Sequence, residues 1–176
     1  MSILKVARMG HPVLRERARP LEKAEIREPL VQKLIDDMID TMHEYNGVGL
    51  AAPQIHEGVR LFVALLDEDP GPKSAATVLI NPEVAPLSGA REEGWEGCLS
   101  IPDIRGMVPR YTDVTVNALD RHGKRVELRL KNFAARVAQH ETDHLDGVLF
   151  FDRMTSMQSL TYIEEYSRYH SNDDDD

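Results

Sequence analysis

The chain has 176 residues, of which 41% are hydrophobic and 29% are charged, a composition typical of one soluble globular domain. It contains no apolar run near the roughly 18 residues that a membrane-spanning helix needs, and its N-terminus lacks the apolar core of a signal peptide, so we expect no membrane partner. The formal net charge of −9 argues against nucleic acid as a direct ligand, and the single cysteine excludes an intramolecular disulfide and favours a reducing, cytoplasmic compartment.

The N-terminal part combines an irregular arm with one clear helix. A glycine and two prolines interrupt the first twenty residues, which predicts little regular structure there. From Pro29 onward, apolar residues recur at steps of three and one, the pattern of an amphipathic helix. Pro29 suits the first helical position and Asn46-Gly47 suits the end. We expect this helix to pack on the core and to carry no chemistry.

The segment after this helix, residues 47–54, is small and apolar and ends in the amide side chain of Gln54. Its Gly47 and Gly49 lack the G-x-G-x-x-G spacing and the lysine of a phosphate-binding loop. Two interpretations stay open. The segment is either a plain connection between a helix and a strand, or a backbone that a ligand approaches closely, with Gln54 as a placed polar group.

The middle of the chain shows the alternating apolar patterns of strands. The predicted strands cover residues 59–66, 77–80, 111–119 and 126–130. Asn81-Pro82 ends the second of them. A turn at His122-Gly123 joins the last two into an antiparallel hairpin.

Two more helices are predicted in the last third of the chain. The first lies between Asn132 as its N-cap and Gly147 as its C-cap. The second covers residues 156–169, with Leu160 among its inward-facing residues, and the acidic residues 172–176 predict a disordered tail.

These elements predict a single α+β domain over residues 1–171. We expect antiparallel β-sheets packed around the helix that follows Asn132, an N-terminal amphipathic helix and a C-terminal helix. No repeat and no change of composition indicates a second domain.

The central helix carries the pattern H-E-x-x-H at His140, Glu141 and His144. Residues four apart lie on one face of a helix, so the two imidazoles can bind one divalent cation. The glutamate next to the first histidine can then accept a proton from a water molecule at the site. A catalytic site of this kind needs a third protein ligand.

Three sources of that ligand can be considered in this chain. A histidine ten residues after His140 is excluded, because residue 150 is phenylalanine. Glu164 or Glu165 on the predicted final helix would give a zinc metallopeptidase, and the single thiol of Cys98 is also a strong ligand. A metal or peptide-binding module without catalysis is a further alternative, although structural sites have four protein ligands and no adjacent acid.

Three segments taken together resemble the peptide deformylases. They are residues 47–54, Glu96-Gly97-Cys98-Leu99-Ser100, and residues 139–144 with the sequence Q-H-E-T-D-H. The segments occur in the family's order and at its usual separations. The resemblance covers the chain from the N-terminal arm to about Asp152.

The resemblance implies a site and an activity. The metal ligands would be Cys98, His140 and His144, with Glu141 as general base and acid. Gln54 and the backbone N–H of Leu99 would form the oxyanion site. The enzyme would hydrolyse the formyl group from the N-terminal formyl-methionine of newly made polypeptides and release formate. The native metal would be Fe²⁺, although Zn²⁺, Ni²⁺ and Co²⁺ suit the same ligands.

The peptide substrate is expected to contact residues in these segments and close to them. The residues expected to contact the peptide are Val48, Gly49, Gly97, Arg105 and Val137, with Leu99 also beside the methionine slot. Some members of the family work near the ribosome, where a basic C-terminal extension would help docking. The acidic tail of this chain argues against that mode of docking.

Overall fold

A computed structural model describes residues 2–67, 71 and 74–171 of the chain. The elements in order are helices α1 (Lys23–Ile26) and α2 (Pro29–Glu44), strands β1 (Gly49–Ala51), β2 (Leu61–Ala64), β3 (Thr77–Pro86), β4 (Arg91–Cys98), β5 (Ile101–Tyr111), β6 (Asp113–Leu119) and β7 (Arg125–Lys131), helix α3 (Asn132–Leu145), strand β8 (Thr161–Tyr162) and helix α4 (Ile163–Tyr169). Single-turn 3₁₀ segments lie at Pro12–Arg15, Ala52–Ile55, Phe150–Arg153 and Met157–Ser159. The α+β architecture is as expected from the sequence.

An antiparallel sheet in the order β1-β2-β3-β6-β7 separates two helices. Helix α2 covers one face through Ile35, Met38 and Met42, and α3 covers the other through a small-residue stripe that includes Ala134 and Ala138. Because both faces are covered at β2, all four of its residues are buried. The regular strand covers residues 61–64 and is shorter than the predicted 59–66. It is as buried as expected for an apolar strand.

A second sheet, in the order β4-β5-β8, places the cysteine. Strands β4 and β5 form a hairpin in which Cys98 pairs with Ile101 across the turn at Leu99 and Ser100. Helix α3 packs against β5 as well as against the first sheet, so it lies between the two sheets. This is the expected arrangement of sheets around a central helix, and the Cys98 strand lies beside that helix.

Strand β3 does not end at Asn81-Pro82 as predicted; it continues to Pro86. Asn81 has a φ of 51°, and the register with β6 shifts between Ile80 and Glu83. The Asn81 side chain accepts from the Leu21 N–H at 2.9 Å and donates to the Leu21 carbonyl at 2.8 Å. These two hydrogen bonds stabilise a β-bulge at the position where the sequence pattern alone predicts the end of the strand.

The predicted helix over residues 156–169 is also wrong in part. The segment contains a 3₁₀ turn, the short strand β8 and only then α4, and Leu160 is 38% exposed rather than inward-facing. The outer edge of β5 has backbone groups to satisfy, and β8 pairs with it at Ile104 and Arg105. The predicted disordered tail, residues 172–176, lies outside the described residues.

The ends of α3 differ from the prediction by one residue. Lys131, not Asn132, is the N-cap of α3, and Asn132 has a φ of 47° as its first residue. Asp146, not Gly147, is the C-cap of α3, and Gly147 follows it with a φ of 73°, a left-handed conformation that suits glycine after a helix end. Within the described part of the chain, no helix has both the length and the apolarity to cross a bilayer.

Candidate active site

A cleft of about 700 Å³ opens between the N-terminal arm, the segment after α2, the β4-β5 hairpin and α3. It brings together all but one of the site residues that the resemblance implies. Those lining it are Val48, Gly49, Gln54, Gly97, Cys98, Leu99, Arg105, Val137, His140 and Glu141. The remaining one, His144, is only 1% exposed and contacts Cys98 beneath the cleft.

Cys98, His140 and His144 converge because a strand end meets one face of a helix. Cys98 is the last residue of β4, and the two histidines are one turn apart on α3. The Cys98 Sγ atom lies 3.3 Å from the His144 Nε2 atom, and ligand atoms of all three residues lie within 4.8 Å of one another. One divalent cation bound by a thiolate and two imidazoles fits such a group.

The ionised state of Cys98 favours metal binding, whereas His140 must release a proton before its ring can bind a metal. Burial raises the pKa of the Cys98 thiol, but the nearby His144 and His140 outweigh burial and hold that pKa well below its ordinary value. The thiolate is the form in which cysteine binds a metal. Burial lowers the pKa of His140, but its hydrogen bonds to Cys98 and Glu96 hold that pKa well above its ordinary value.

Glu141 lies at the floor of the cleft as a buried carboxylate. Burial raises its pKa, a shift that suits a group that must accept a proton near neutral pH. Its Oε2 atom has no hydrogen-bond partner among the described residues. The carboxylate also presses against β1, since a Cβ atom at Gly49 would lie 2.7 Å from the Glu141 carboxyl carbon. Glycine is therefore required at position 49, because a side chain there would overlap the Glu141 carboxylate.

Gln54 has a fixed amide orientation. Its Oε1 atom accepts from the Ala51 N–H at 2.8 Å, so the amide nitrogen must point the other way. That nitrogen lies 3.3 Å from the Ser100 Oγ atom and 3.5 Å from the Cys98 Sγ atom. A side-chain donor is thus held beside the three candidate ligands, as a placed polar group rather than a plain connection.

A buried ionic network supports His140 from below. The Glu96 Oε2 atom lies 2.9 Å from the His140 Nδ1 atom, and Arg110 donates to both Glu96 oxygens at 2.8 and 3.0 Å. Arg110 also donates to Asp143 at 2.6 Å, and Arg136 donates to Glu96 at 3.0 Å. Burial raises the pKa of Glu96, but His140 and Arg110 hold it well below its usual range.

This network sets the tautomer of His140. An ionised Glu96 can only accept a hydrogen bond, so His140 donates through Nδ1 and presents Nε2 as its ligand atom. Glu96 and Asp143 lie inside two of the sequence motifs described above. Their place in those motifs could have identified them as part of the site. Arg110 carries no local signal, because its partners are distant along the chain.

One wall of the cleft includes side chains whose contacts the sequence did not indicate. The Arg105 guanidinium lies directly over Gly97, where any Cβ atom would overlap it. Trp95 lines the same wall and packs on Tyr166 and His170, with ring centroids 5.0 and 5.1 Å apart. Helix α4 therefore forms part of the cleft wall, and its residue Ile163 also lines the cleft.

The alternative third ligands lie elsewhere. Glu164 is exposed on α4, and Glu165 pairs with Arg168 at 3.2 Å. Within the described residues, neither belongs to the group formed by Cys98, His140 and His144. The geometry therefore gives no support to a glutamate-liganded metallopeptidase.

Comparison with known proteins gives consistent results. Residues 3–160 match the family model described as polypeptide deformylase. A protein of Nostoc sp. named peptide deformylase 2 is 43% identical over 168 residues, which are 93% of each chain. One of Bordetella bronchiseptica with the same name is 42% identical over 163 residues, 90% of this chain and 92% of that one.

Solved structures agree in fold. A class I type b peptide deformylase of Acinetobacter baumannii with Met-Ala-Ser bound is 39% identical, with a TM-score of 0.81, over 87% of this chain and 99% of that one. A peptide deformylase of Thermotoga maritima is 38% identical, with a TM-score of 0.81, over 89% of this chain and 100% of the other.

Proposed function

The chain belongs to the polypeptide deformylase family, and from that premise we propose how its own residues remove the formyl group from the N-terminal formyl-methionine of newly made polypeptides. The products are formate and a peptide with a free N-terminal amine. One observation carries the proposal: a thiol and two imidazoles at the bottom of one cleft place their ligand atoms within 4.8 Å of one another, beside a buried carboxylate whose Oε2 atom has no hydrogen-bond partner among the described residues. We assign residues 1–171 to one deformylase domain that works in the cytoplasm.

Cys98, His140 and His144 would hold one divalent metal ion. We propose Fe²⁺ as the native ion, although Zn²⁺, Ni²⁺ or Co²⁺ suit the same ligands. When bound, such an ion supplies Lewis acidity to a water molecule and to the formyl carbonyl. Glu96 orients His140 for this purpose through the hydrogen bond at 2.9 Å.

Glu141 would move the proton. Its Oε2 atom, which has no hydrogen-bond partner among the described residues, would accept the proton of the attacking water. The same carboxyl group then gives that proton to the leaving amine. Its raised pKa makes it a stronger base toward the water than an ordinary glutamate is.

Gln54 and Leu99 would stabilise the negative charge on the formyl oxygen. The Gln54 amide nitrogen is already directed to the site, because the Ala51 N–H holds the other end of the amide. The Leu99 main-chain N–H stands in the tight turn next to Cys98. Each preorganised donor of this type contributes on the order of 10²–10³ in rate in other enzymes.

The peptide would bind in an extended form along the cleft. Gly49 on β1 and Gly97 on β4 would offer backbone groups to it, in the manner of an added strand, while their missing side chains leave room for Glu141 and Arg105. Val48 and Val137, both in the lining of the cleft, would contact the methionine side chain. Arg105 would meet the peptide further along. Any contact with the ribosome would use a surface other than a basic C-terminal helix, since the tail is acidic.

Formate release tests the function directly. We expect the purified protein to release formate from formyl-Met-Ala-Ser. It should lose that activity when a chelator removes the metal, because the proposed reaction needs the metal ion that Cys98, His140 and His144 would hold. Acetyl-Met-Ala-Ser serves as the matched control and should release no acetate at a comparable rate. Formate release that no chelator suppresses, or no release at all, would contradict the proposal.

Cys98→Ser tests the ligand set. The serine hydroxyl is a far weaker ligand than a thiolate, so we expect metal content after dialysis to fall and kcat/KM to drop by roughly 10²-fold or more. Glu164→Gln is the matched control, because it removes the carboxylate of the alternative site and should leave both quantities unchanged. Metal analysis beside the formate assay checks the prediction. A Cys98→Ser enzyme that keeps metal and activity would rule out this site.

A further inference from the structure

Three cationic side chains at the mouth of the cleft have no acidic partner. Lys5, Arg8 and Arg105 all line the cleft, and none of them forms an ion pair with any described residue. Lys5 and Arg8 are exposed, and the Arg105 head group makes one hydrogen bond, to the carbonyl of Ile104 at 3.4 Å. Unpaired cations gathered in one cleft are unexpected in a chain with a net charge of −9.

The acidic residues of the cleft do not neutralise this mouth. Glu96 is committed to Arg110, Arg136 and His140, and Glu141 lies buried at the floor. Asp103 is the one acidic residue among the exposed lining residues, and it forms no ion pair with the described part of the chain. Three cations against one carboxylate leave the mouth positively charged.

Backbone hydrogen bonds hold two of the cations in place relative to the reacting groups. Within the N-terminal arm, the Ala7 N–H donates to the Gln54 carbonyl at 2.7 Å, and the Met9 N–H donates to the Ser100 carbonyl at 2.8 Å. Lys5 and Arg8 therefore extend from a segment attached to both sides of the proposed oxyanion site. Arg105 is fixed from the other side, on β5 where it pairs with β8.

The depth of the cleft gives the direction of the peptide. Cys98, His140 and Glu141 are each less than a tenth exposed, whereas Lys5 and Arg8 are exposed. The formylated end must reach the buried groups, so the residues that follow it leave past the cations. An extended peptide advances about 3.4 Å per residue, so the residues that pass the mouth are among those that follow the formyl-methionine.

We propose that the cleft selects formyl peptides that carry an aspartate or glutamate shortly after the formyl-methionine, because Lys5, Arg8 and Arg105 lack acidic partners at its mouth. The inference rests on the proposed function and names the substrates that the enzyme turns over fastest. Each exposed pair contributes little, but the summed charge of three cations in one cleft attracts an incoming carboxylate from a distance.

Peptides that differ in one charge test the proposal. The substrates are formyl-Met-Ala-Glu-Ser amide and its Gln and Lys analogues, whose C-terminal amide removes the carboxylate of shorter peptides. We expect kcat/KM to fall in the order Glu, Gln, Lys, by roughly tenfold across the series at low salt and by much less near 0.5 M salt. Equal or reversed values with formate released would overturn the inference and leave the proposed function intact.

Binding without turnover separates the two claims further. Trp95 is the single tryptophan and lines the same cleft, so its fluorescence reports occupancy. The unformylated peptides Met-Ala-Glu-Ser amide and Met-Ala-Lys-Ser amide serve as probes. Tighter binding of the Glu peptide supports the inference even where formate release fails, and equal binding overturns it.

Charge reversal locates the effect. Arg8→Glu should remove the preference for the Glu peptide or reverse it, and Asp103→Asn should increase that preference. Arg125→Glu is the matched control, since it makes the same change of net charge at an exposed residue of β7, outside the cleft lining. An equal loss of preference in Arg125→Glu would overturn the assignment to the cleft.

Discussion

Replacement of Glu141 by glutamine is expected to lower kcat/KM for a formylated peptide by roughly 10²–10⁴-fold while the metal stays bound. The amide keeps the size of the side chain but cannot accept the proton of the attacking water. Cys98, His140 and His144 are untouched, so metal analysis should give the wild-type content. In the wild type, activity should decline toward acid pH as this carboxylate, whose pKa is raised by burial, becomes protonated.

The neighbouring residue of the same motif supplies the control for that experiment. The Thr142 hydroxyl donates to the Ala138 carbonyl at 2.7 Å, and Thr142 is not part of the cleft lining. Thr142→Ala should therefore leave kcat/KM within about threefold of the wild type, as expected for a substitution that touches no reacting group. Loss of metal from the Glu141→Gln enzyme would instead make Glu141 a ligand or a structural residue.

Replacement of Arg110 by alanine is expected to lower the free energy of unfolding by about 3–5 kcal/mol. The change leaves two buried carboxylates, Glu96 and Asp143, with only part of their compensation, since Arg136 and Arg153 contact them from the side. Urea unfolding of the metal-saturated protein measures the loss. Metal affinity should fall about 10- to 100-fold as well, because His140 loses a firmly held partner.

A surface pair provides the comparison. Arg168 pairs with Glu165 at 3.2 Å, with side chains 61% and 45% exposed, and Arg168→Ala should change the free energy of unfolding by less than about 1 kcal/mol. The double variant Arg110→Ala with Glu96→Gln should recover part of the loss, since it removes one uncompensated charge. If Arg110→Ala were as mild as Arg168→Ala, the buried network would not stabilise the fold.

The sequence predicts those parts of the fold that depend on local patterns. Helix α2 follows from its apolar spacing, the β6-β7 hairpin from alternation around the turn at His122-Gly123, and the end of α3 from Gly147. The convergence of Cys98 with the histidines was expected because three motifs occur together in a family's order. Each of these signals lies within a few residues of the feature that it predicts.

Features that depend on distant partners were not predicted. Strand β4 reads as a polar segment with two glycines, because Glu96 turns inward to an arginine on the next strand and Gly97 lies beneath Arg105. Strand β8 exists because β5 has an edge to cover. The bulge in β3 depends on Leu21, sixty residues earlier in the chain. Such contacts leave no periodic trace in the sequence.

The position of α3 between the two sheets also orders events during synthesis. This helix supplies two proposed metal ligands and much of the apolar core of the larger sheet, yet it follows β1 to β7 in the chain. A ribosome that has made only the first 131 residues therefore carries sheets with an open apolar face, which is the kind of surface that chaperones bind. The same helix therefore completes both the apolar core and the proposed set of metal ligands.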